Sequence, residues 1–103
     1  MNYIIRTTNI FDKWLSKIKD TMSRARIIKR FDYIGKGNFG DYKALGSNLF
    51  ELRFFFGPGY RIYYTIEKTA TGMSTIVLLL CGGDKSSQNN DIEKAKAVMV
   101  ALE

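Results

Sequence analysis

The sequence predicts an α+β domain, with an N-terminal strand and helical hairpin followed by an antiparallel three-strand meander and a C-terminal helix. Three observations predict it: apolar residues at helical spacing over residues 9–35, strand-like runs between residues 50 and 81, and a last helical stripe over residues 91–102. A chain of 103 residues has the length of one domain, which we expect to span residues 1–103.

The N-terminal part is predicted to hold a short strand over residues 3–6 and two helices. Asn9 is predicted to cap the first helix, and the second is predicted to begin near Ser23 and to end at Gly35. The short break between them favours an antiparallel helical hairpin. The apolar stripe of the pair comprises Phe11, Leu15, Ile18, Met22, Ile27, Phe31 and Ile34, with Trp14 beside it.

A loop and a β-hairpin are predicted next. Residues 35–47 contain four glycines among polar residues, which is typical of a loop. Residues 50–56 and 60–67 alternate apolar and polar side chains, which is the pattern of two strands. The turn between them is predicted at Gly57-Pro58-Gly59, because glycine tolerates positive φ and proline cannot donate a ladder hydrogen bond.

A third strand and a last helix complete the predicted fold. Residues 74–81 are apolar on both faces, which indicates a strand inside the sheet. Residues 82–90 are predicted to be a polar loop, after which Asn90 caps the helix in a capping box with Glu93. The buried stripe of this helix is expected to comprise Ile92, Ala95, Val98, Met99 and Leu102.

The net charge of +6 arises in the N-terminal part. Residues 1–31 hold eight Lys or Arg against two Asp, whereas residues 32–103 hold eight of each sign. This asymmetry favours an anionic partner, with nucleic acid as the leading candidate, and a basic surface that serves only solubility is the alternative. The basic residues on the two helices are Lys13, Lys17, Lys19, Arg24, Arg26, Lys29 and Arg30.

The sequence carries no sign of secretion or of a membrane anchor. Cys81 is the single cysteine, so no internal disulfide can form. Residues 1–6 begin no apolar signal segment, and the apolar run over residues 76–81 is too short to cross a bilayer. We therefore expect a cytoplasmic protein that needs no cofactor or metal and does not bind membranes.

A cluster of Arg, Lys and Tyr is the candidate functional site. If residues 57–59 are the whole hairpin loop, Arg53 lies opposite Tyr63. Arg53, Arg61 and Tyr63 would then share one sheet face, away from the apolar core. Lys85 follows the third strand in Gly82-Gly83-Asp84-Lys85. Such a surface suits the binding of phosphate and bases.

The chain also resembles a known family in residues spread along nearly its whole length. The segments that carry the resemblance are Gly37-Asn38-Phe39-Gly40-Asp41, Glu51-Leu52-Arg53, Gly57-Pro58-Gly59-Tyr60-Arg61-Ile62-Tyr63 and Leu79-Leu80-Cys81-Gly82-Gly83-Asp84-Lys85-Ser86-Ser87-Gln88. They are similar to the HigB-like branch of the RelE/ParE toxin superfamily. Arg26-Ile27 and Asp91-Ile92-Glu93-Lys94-Ala95-Lys96 fit the same pattern.

This resemblance implies a toxin of a type II toxin–antitoxin system. Such a toxin would act as an endoribonuclease that enters the ribosomal A site, cuts mRNA there and arrests translation. A helix-turn-helix antitoxin from the adjacent gene would inhibit it, and the complex would repress its own operator DNA. The basic helix residues would contact ribosomal RNA.

The resemblance also implies roles for individual residues. Arg61 matches the arginine of the family's Gly-Tyr-Arg segment and would be a phosphate clamp. Arg53 and Lys85 fall where RelE-like proteins carry basic residues, and Tyr63 would stack on a base or relay a proton. The family's aromatic residue on the C-terminal helix has no counterpart in residues 91–103.

Alternatives stay open at the level of function and of residues. The chain could be a ParE-like gyrase inhibitor without an active site, or a non-catalytic nucleic-acid-binding module acting with a partner repressor. Arg53 could simply pair with a nearby acid, Tyr63 could serve packing, Lys85 could be an ordinary loop lysine, and Asp84 could only shape its turn.

Overall fold

A five-stranded mixed sheet forms the centre of the protein in a computed structural model that describes residues 3–102. The elements are β1 (Tyr3–Thr7), α1 (Asn9–Ser16), α2 (Thr21–Gly35), β2 (Tyr42–Gly46), β3 (Leu49–Arg53), β4 (Tyr60–Lys68), β5 (Thr75–Asp84), a 3₁₀ turn (Lys85–Ser87) and α3 (Gln88–Ala101). The strand order is β1-β5-β4-β3-β2, with β1 parallel to β5 and the other pairs antiparallel.

This arrangement confirms the α+β class and the antiparallel meander, which is β3-β4-β5. It also confirms that the third predicted strand lies inside the sheet, because β5 pairs with β1 on one side and β4 on the other. The sheet is larger than predicted, since β1 joins it in parallel and β2 extends the opposite edge.

Strand β2 lies in the segment that was predicted to be a loop. A two-residue turn joins it to β3, and its residues Ser47 and Asn48 have φ of 52° and 61°. Two-residue hairpin turns with positive φ normally contain Asn-Gly or another glycine pair. The Ser-Asn pair therefore did not indicate a hairpin in the sequence. Tertiary contacts stabilise the turn: Asn48 Nδ2 donates to Ile66 O at 2.7 Å, and Thr65 Oγ1 donates to Asn48 O at 2.7 Å.

The β3–β4 hairpin has a longer loop than predicted, and this shifts its register. Phe54 N donates to Tyr60 O, so the loop comprises residues 55–59. Arg53 consequently pairs with Arg61 instead of Tyr63, which pairs with Glu51. The shift is two residues, so the faces of the strands are those that the alternation predicted.

Helices cover both faces of the sheet. Phe11, Ile27 and Ile34 of α1 and α2 pack in one core with the apolar face of β3 and β4, including Leu52 and Ile62. On the other face, α3 buries a second core of Leu49, Tyr63, Leu80, Cys81 and Ala95. The predicted apolar stripes of the helices are confirmed in large part. The exceptions are Met22 and Leu102, which are exposed.

The starts of the helices differ from the sequence expectations, whereas α2 ends at Gly35 as predicted. Thr8 caps α1 and Asp20 caps α2, and each accepts a hydrogen bond from a backbone N–H of the first turn. Helix α3 begins at Gln88, so Asn90 lies within the helix and forms no capping box. No helix within residues 3–102 has the length and apolar character needed to cross a membrane.

Candidate functional site

Arg53 and Arg61 lie directly opposite each other on β3 and β4, and Gly83 of β5 continues the same row. Both arginines alternate with core residues of the first face, so they lie on the face that α3 covers. Like charges directly opposite in a sheet are destabilising. Their pairing therefore needs a reason other than stability.

Arg61 is buried, with 8% of its surface exposed. Its Nε is fully buried and has no hydrogen-bond partner within residues 3–102. The expectation that Arg61 points outward, away from the core, is therefore wrong, because α3 and the second core cover this face. A buried guanidinium with an unused donor is energetically costly and marks a candidate binding group.

Arg53 lies at the edge of the same row and is about one-third exposed. Its Nε donates to Asp41 Oδ2 at 3.1 Å, and its guanidinium lies 5.8 Å from the ring centroid of Phe55. The alternative that Arg53 pairs with a nearby acid is thus realised, with Asp41 as the partner. Phe55 is 77% exposed, whereas the other six phenylalanines belong to the first core or pack against it.

Lys85 is exposed and opens the 3₁₀ turn after β5. A Cβ placed on Gly59, which has a φ of 76°, would lie 3.4 Å from the Lys85 Cβ, so this lysine adjoins the β3–β4 loop. Asp84 accepts hydrogen bonds from Ser86 and caps the turn, and these bonds hold the pKa of Asp84 below its usual value. The interpretation of Asp84 as a turn residue is confirmed.

Tyr63 is fully buried in the second core, so it cannot stack on a base or contact a substrate directly. Burial, followed by the Glu51 carboxylate opposite it, raises the pKa of Tyr63 well above its usual value. A side-chain hydrogen bond between Tyr63 and Glu51 contributes to the same shift. The packing alternative for Tyr63 is the one that the structure supports.

Glu51 is a residue of this site that the sequence interpretation missed. Its side chain is fully buried, and its Oε2 accepts a hydrogen bond of 2.8 Å from Gln88 Nε2 in the first turn of α3. Glu51 lies on the same strand face as Arg53. The sequence did not indicate its burial, because that face was expected to be exposed to solvent.

The helix α3 approaches this row closely through a glycine. A Cβ on Gly83 would overlap the Asp91 carboxylate, which accepts a hydrogen bond from Ser87 Oγ. Only glycine therefore allows the first turns of α3 to lie over the end of β5. The close approach brings Gln88 to Glu51 and completes the cover over Arg61.

Six of the seven basic residues of the N-terminal helices lie apart from the arginine row, and the exception is Arg30. Helices α1 and α2 pack on the opposite sheet face, and Lys13, Lys17, Lys19, Arg26 and Lys29 are exposed there. Arg24 is half-buried. The Arg26 guanidinium also lies 5.2 Å from the ring centroid of Phe56.

Arg30 departs from the expectation of a nucleic-acid contact. Its guanidinium donates to three backbone carbonyls, at 3.0 Å to Phe39, 2.8 Å to Asp41 and 3.2 Å to Arg53. It also lies 4.8 Å from the ring centroid of Phe54. Arg30 therefore fixes the segment before β2 to the end of β3, which is a structural role.

A cavity of about 450 Å³ lies beside the first core, away from the arginine row. Phe39, Tyr64 and Phe50 stack in its wall, with successive centroid distances of 5.7 and 5.2 Å. None of the described residues that line it carries a charge.

Within residues 3–102 no group of three His, Cys, Asp or Glu could hold a metal ion. The arginine row is thus the site with groups suited to an anion.

Comparison with known proteins gives one close relative and no named family. An uncharacterized protein of Haemophilus influenzae strain Rd is 47% identical over 102 residues, which span 99% of this chain and 98% of that protein. No protein-family model matches the chain, and no solved structure matches it.

Proposed function

We propose that this chain, which belongs to the same family as that uncharacterized Haemophilus influenzae protein, is the toxin of a type II toxin–antitoxin system and cleaves mRNA on the ribosome. The resemblance to HigB-like toxins supports the proposal at the level of sequence. The arginine row supports it at the level of chemistry, since it offers fixed guanidinium groups to an RNA phosphate.

The observation that carries the proposal is the pairing of Arg53 with Arg61 across β3 and β4. Two adjacent arginines weaken a sheet but favour the binding of one phosphate between them. Arg61 is partly desolvated, which strengthens its interaction with an anion relative to the same contact in water. Asp41 neutralises part of the Arg53 charge, so Arg61 is the stronger candidate for the clamp.

RNA cleavage by this route needs charge stabilisation and two proton transfers. The ribose 2′-oxygen bonds to phosphorus, the bond from phosphorus to the 5′-oxygen breaks, the 2′ proton passes to a base, and the leaving oxygen gains a proton. Arg61 and Arg53 would stabilise the negative charge that develops on the phosphorane oxygens. Lys85 is exposed beside the same loop and is the candidate proton donor for the leaving oxygen.

The chain contains no histidine, and its buried Tyr63 is not available for proton transfer to RNA. We therefore propose that the reaction depends on the ribosome to hold the mRNA in line for attack. Phe55, exposed beside Arg53, offers a ring on which a base of that mRNA can stack. The exposed lysines of α1 and α2 would add contacts to ribosomal RNA.

The proposed partners follow from the same assignment. An antitoxin from the adjacent gene, of the helix-turn-helix class, would hold the toxin inactive and bring it to operator DNA. The charge of +6 suits both an RNA target and an acidic protein partner.

A short pulse of expression in a bacterial host distinguishes this function from its alternatives. An mRNA-cleaving toxin stops protein synthesis at once, and transcripts carry new ends inside codons. A gyrase inhibitor instead induces the SOS response and filamentation, and a binding module without activity leaves growth unchanged. Either of the last two results would overturn the proposal.

A further inference from the structure

The cavity beside the first core is lined by aromatic rings, and we call it the aromatic cavity. The rings belong to Tyr3, Phe39, Tyr42, Phe50 and Tyr64, and the volume is about 450 Å³. Protein interiors are close-packed and leave few voids larger than a water molecule. Sites for small ligands have volumes of about 300–1,000 Å³. The aromatic cavity is therefore a candidate binding site outside the arginine row.

The rings of the aromatic cavity are arranged for stacking. Tyr64 lies between Phe39 and Phe50 at interplanar angles of 21° and 18°, so the three rings form one nearly parallel stack. The Tyr42 ring lies 6.0 Å from the Phe39 ring, centroid to centroid, and 53% of this tyrosine is exposed. A planar ring that enters from solvent can thus stack on an aromatic face and contact Tyr42.

The loop that forms one wall is held in place before any ligand binds. Arg30 donates hydrogen bonds to the carbonyls of Phe39 and Asp41, at 3.0 and 2.8 Å. Gly40 between them has a φ of 68°, and a Cβ there would lie 2.8 Å from the Arg30 Nε. Only glycine therefore lets the guanidinium approach this loop. A wall fixed in this way lowers the entropy that is lost when a ligand binds.

The polar groups of the aromatic cavity suit a neutral heteroaromatic ring. Asn38 Oδ1 accepts a hydrogen bond of 3.1 Å from Gly40 N, a contact that does not use the two N–H donors of its side chain. Burial, followed by the neighbouring Tyr42, raises the pKa of Tyr64, so its hydroxyl stays protonated. Aromatic faces together with uncharged hydrogen-bonding groups are the features that bind a nucleobase.

Cations at the borders of the aromatic cavity favour a base that belongs to RNA. Lys36 precedes the lining residue Gly37, and Lys68 follows the lining residue Ile66 by two positions on the same face of β4. Both lysines are exposed. The cavity also lies on the sheet face that the basic helices α1 and α2 cover. A nucleotide bound here would place its phosphates beside these positive charges, whereas an aromatic side chain of a protein partner would not use them.

We propose that the aromatic cavity binds one unstacked base of single-stranded RNA, at a site separate from the arginine row. Tyr64 belongs to the first core, whereas Arg61 lies on the sheet face that α3 covers, so the sheet separates the two sites. Under the proposed function, the base would belong to the ribosomal RNA that the basic helices contact. Only this identification of the RNA rests on the proposed function.

Binding of a single-stranded adenosine hexamer to the isolated protein tests the proposal. The NMR ring resonances of Phe39, Phe50 and Tyr64 should shift as the hexamer is added, and a hexamer of the same backbone without bases should leave them unchanged. The shifts should persist in Arg53→Ala, because the arginine row lies on the other sheet face. The absence of ring shifts, equal shifts with the baseless backbone, or loss of the shifts in Arg53→Ala would overturn the proposal.

A matched pair of tyrosine variants provides a second readout. Tyr42→Ala removes an exposed ring of the aromatic cavity, so the affinity for the hexamer should fall about 10-fold through loss of stacking. Tyr33→Ala is the control, since Tyr33 is 45% exposed on α2 and does not line the cavity. Its affinity should equal that of the natural protein. Equal affinities of both variants for the hexamer would contradict the proposal.

Two further probes separate RNA from other ligands. Adenosine monophosphate should bind more weakly than the hexamer, because it lacks the neighbouring phosphates; equal affinity would assign the cavity to a free nucleotide instead. Ring shifts with N-acetyltryptophanamide but not with the hexamer would assign it to a side chain of a protein partner. Either result would overturn the proposal. No readout needs ribosomes, so a protein that does not cleave mRNA would refute the proposed function while base binding is still measured.

Discussion

Arg61 lies directly opposite Arg53 on the central hairpin, and a buried carboxylate, Glu51, lies two residues before Arg53 on the same face. The pair places two positive charges where a sheet normally avoids them. Asp41 forms an ion pair with Arg53, whereas the buried Nε of Arg61 has no hydrogen-bond partner among residues 3–102. Such an arrangement is unfavourable in the free protein, and a bound anion would offset the paired positive charges.

The geometry of the guanidinium should matter more than its charge. Arg61→Lys keeps a positive charge at this position but loses the planar fork, so mRNA cleavage should fall about 100-fold, equivalent to ~3 kcal/mol of transition-state stabilisation. Cleavage rates in a reconstituted translation reaction measure this. Arg6→Lys on β1, whose side chain is exposed, is the control and should cleave normally. Full activity of a folded Arg61→Lys protein would remove Arg61 from the site.

Arg30 and Lys29 are neighbours on α2 with opposite expectations. Arg30→Ala removes a guanidinium that donates to three backbone carbonyls and should lower the free energy of unfolding by about 3 kcal/mol. Lys29→Ala changes an exposed side chain and should alter stability by less than about 0.5 kcal/mol. Denaturant unfolding of both variants provides the comparison. Equal stabilities would show that Arg30 does not anchor the segment before β2.

The exposed lysines of the N-terminal region should contribute to ribosome binding and should not take part in mRNA cleavage. Replacing Lys13, Lys17 and Lys19 with Gln should weaken ribosome binding and flatten its salt dependence. Each lost phosphate contact should reduce the slope of log K against log salt by roughly 0.7–0.9. Cleavage by the bound fraction should be unchanged. A triple variant with natural affinity at both low and physiological salt would assign these charges to solubility or to the antitoxin.

Alkaline pH should destabilise the protein through its buried tyrosines and cysteine. Burial raises the pKa of Tyr63 and Tyr64 above their usual value of 10.0, and that of Cys81 from 9.0 to about 11. These groups stay protonated in the folded state, so their contribution is complete below the unfolded pKa values and is lost as pH rises through the folded ones. The free energy of unfolding should therefore decrease above pH 9. The decrease should be less steep in Tyr63→Phe, because that variant lacks one of the groups with a raised pKa. A pH-independent stability between pH 8 and pH 11 would contradict these shifts.

The strands and helices with clear periodicity could be predicted from sequence, and the exceptions have physical causes. The meander and the interior strand followed from alternation and from a run that is apolar on both faces. Strand β2 was missed because its Ser47-Asn48 turn lacks glycine, and its contacts to Thr65 and Ile66 are tertiary. The predicted register of the β3–β4 hairpin was wrong by two residues, because the loop begins at Phe55 and not at Gly57.

Three residues of the candidate site could be placed together from the sequence, but Glu51 and the environment of the site could not be predicted. Arg53, Arg61 and Lys85 lie at one end of the β3–β4–β5 meander, as the sequence indicated. Periodicity shows which side chains share a face but not which face a distant helix will cover. Because α3 packs over Gly83, the sheet face that was expected to be exposed is buried. Tyr63, which was expected to contact RNA, is therefore a core residue.

The most direct test of the proposed function maps RNA ends after purified protein is added to naked mRNA and, separately, to the same mRNA on translating ribosomes. A ribosome-dependent mRNA-cleaving toxin should produce new 5′ ends inside codons at the ribosomal A site and should leave naked mRNA uncut at physiological salt. The new ends should be lost in Arg61→Lys. Uncut mRNA on ribosomes, or equal cutting of naked mRNA, would contradict the proposed function.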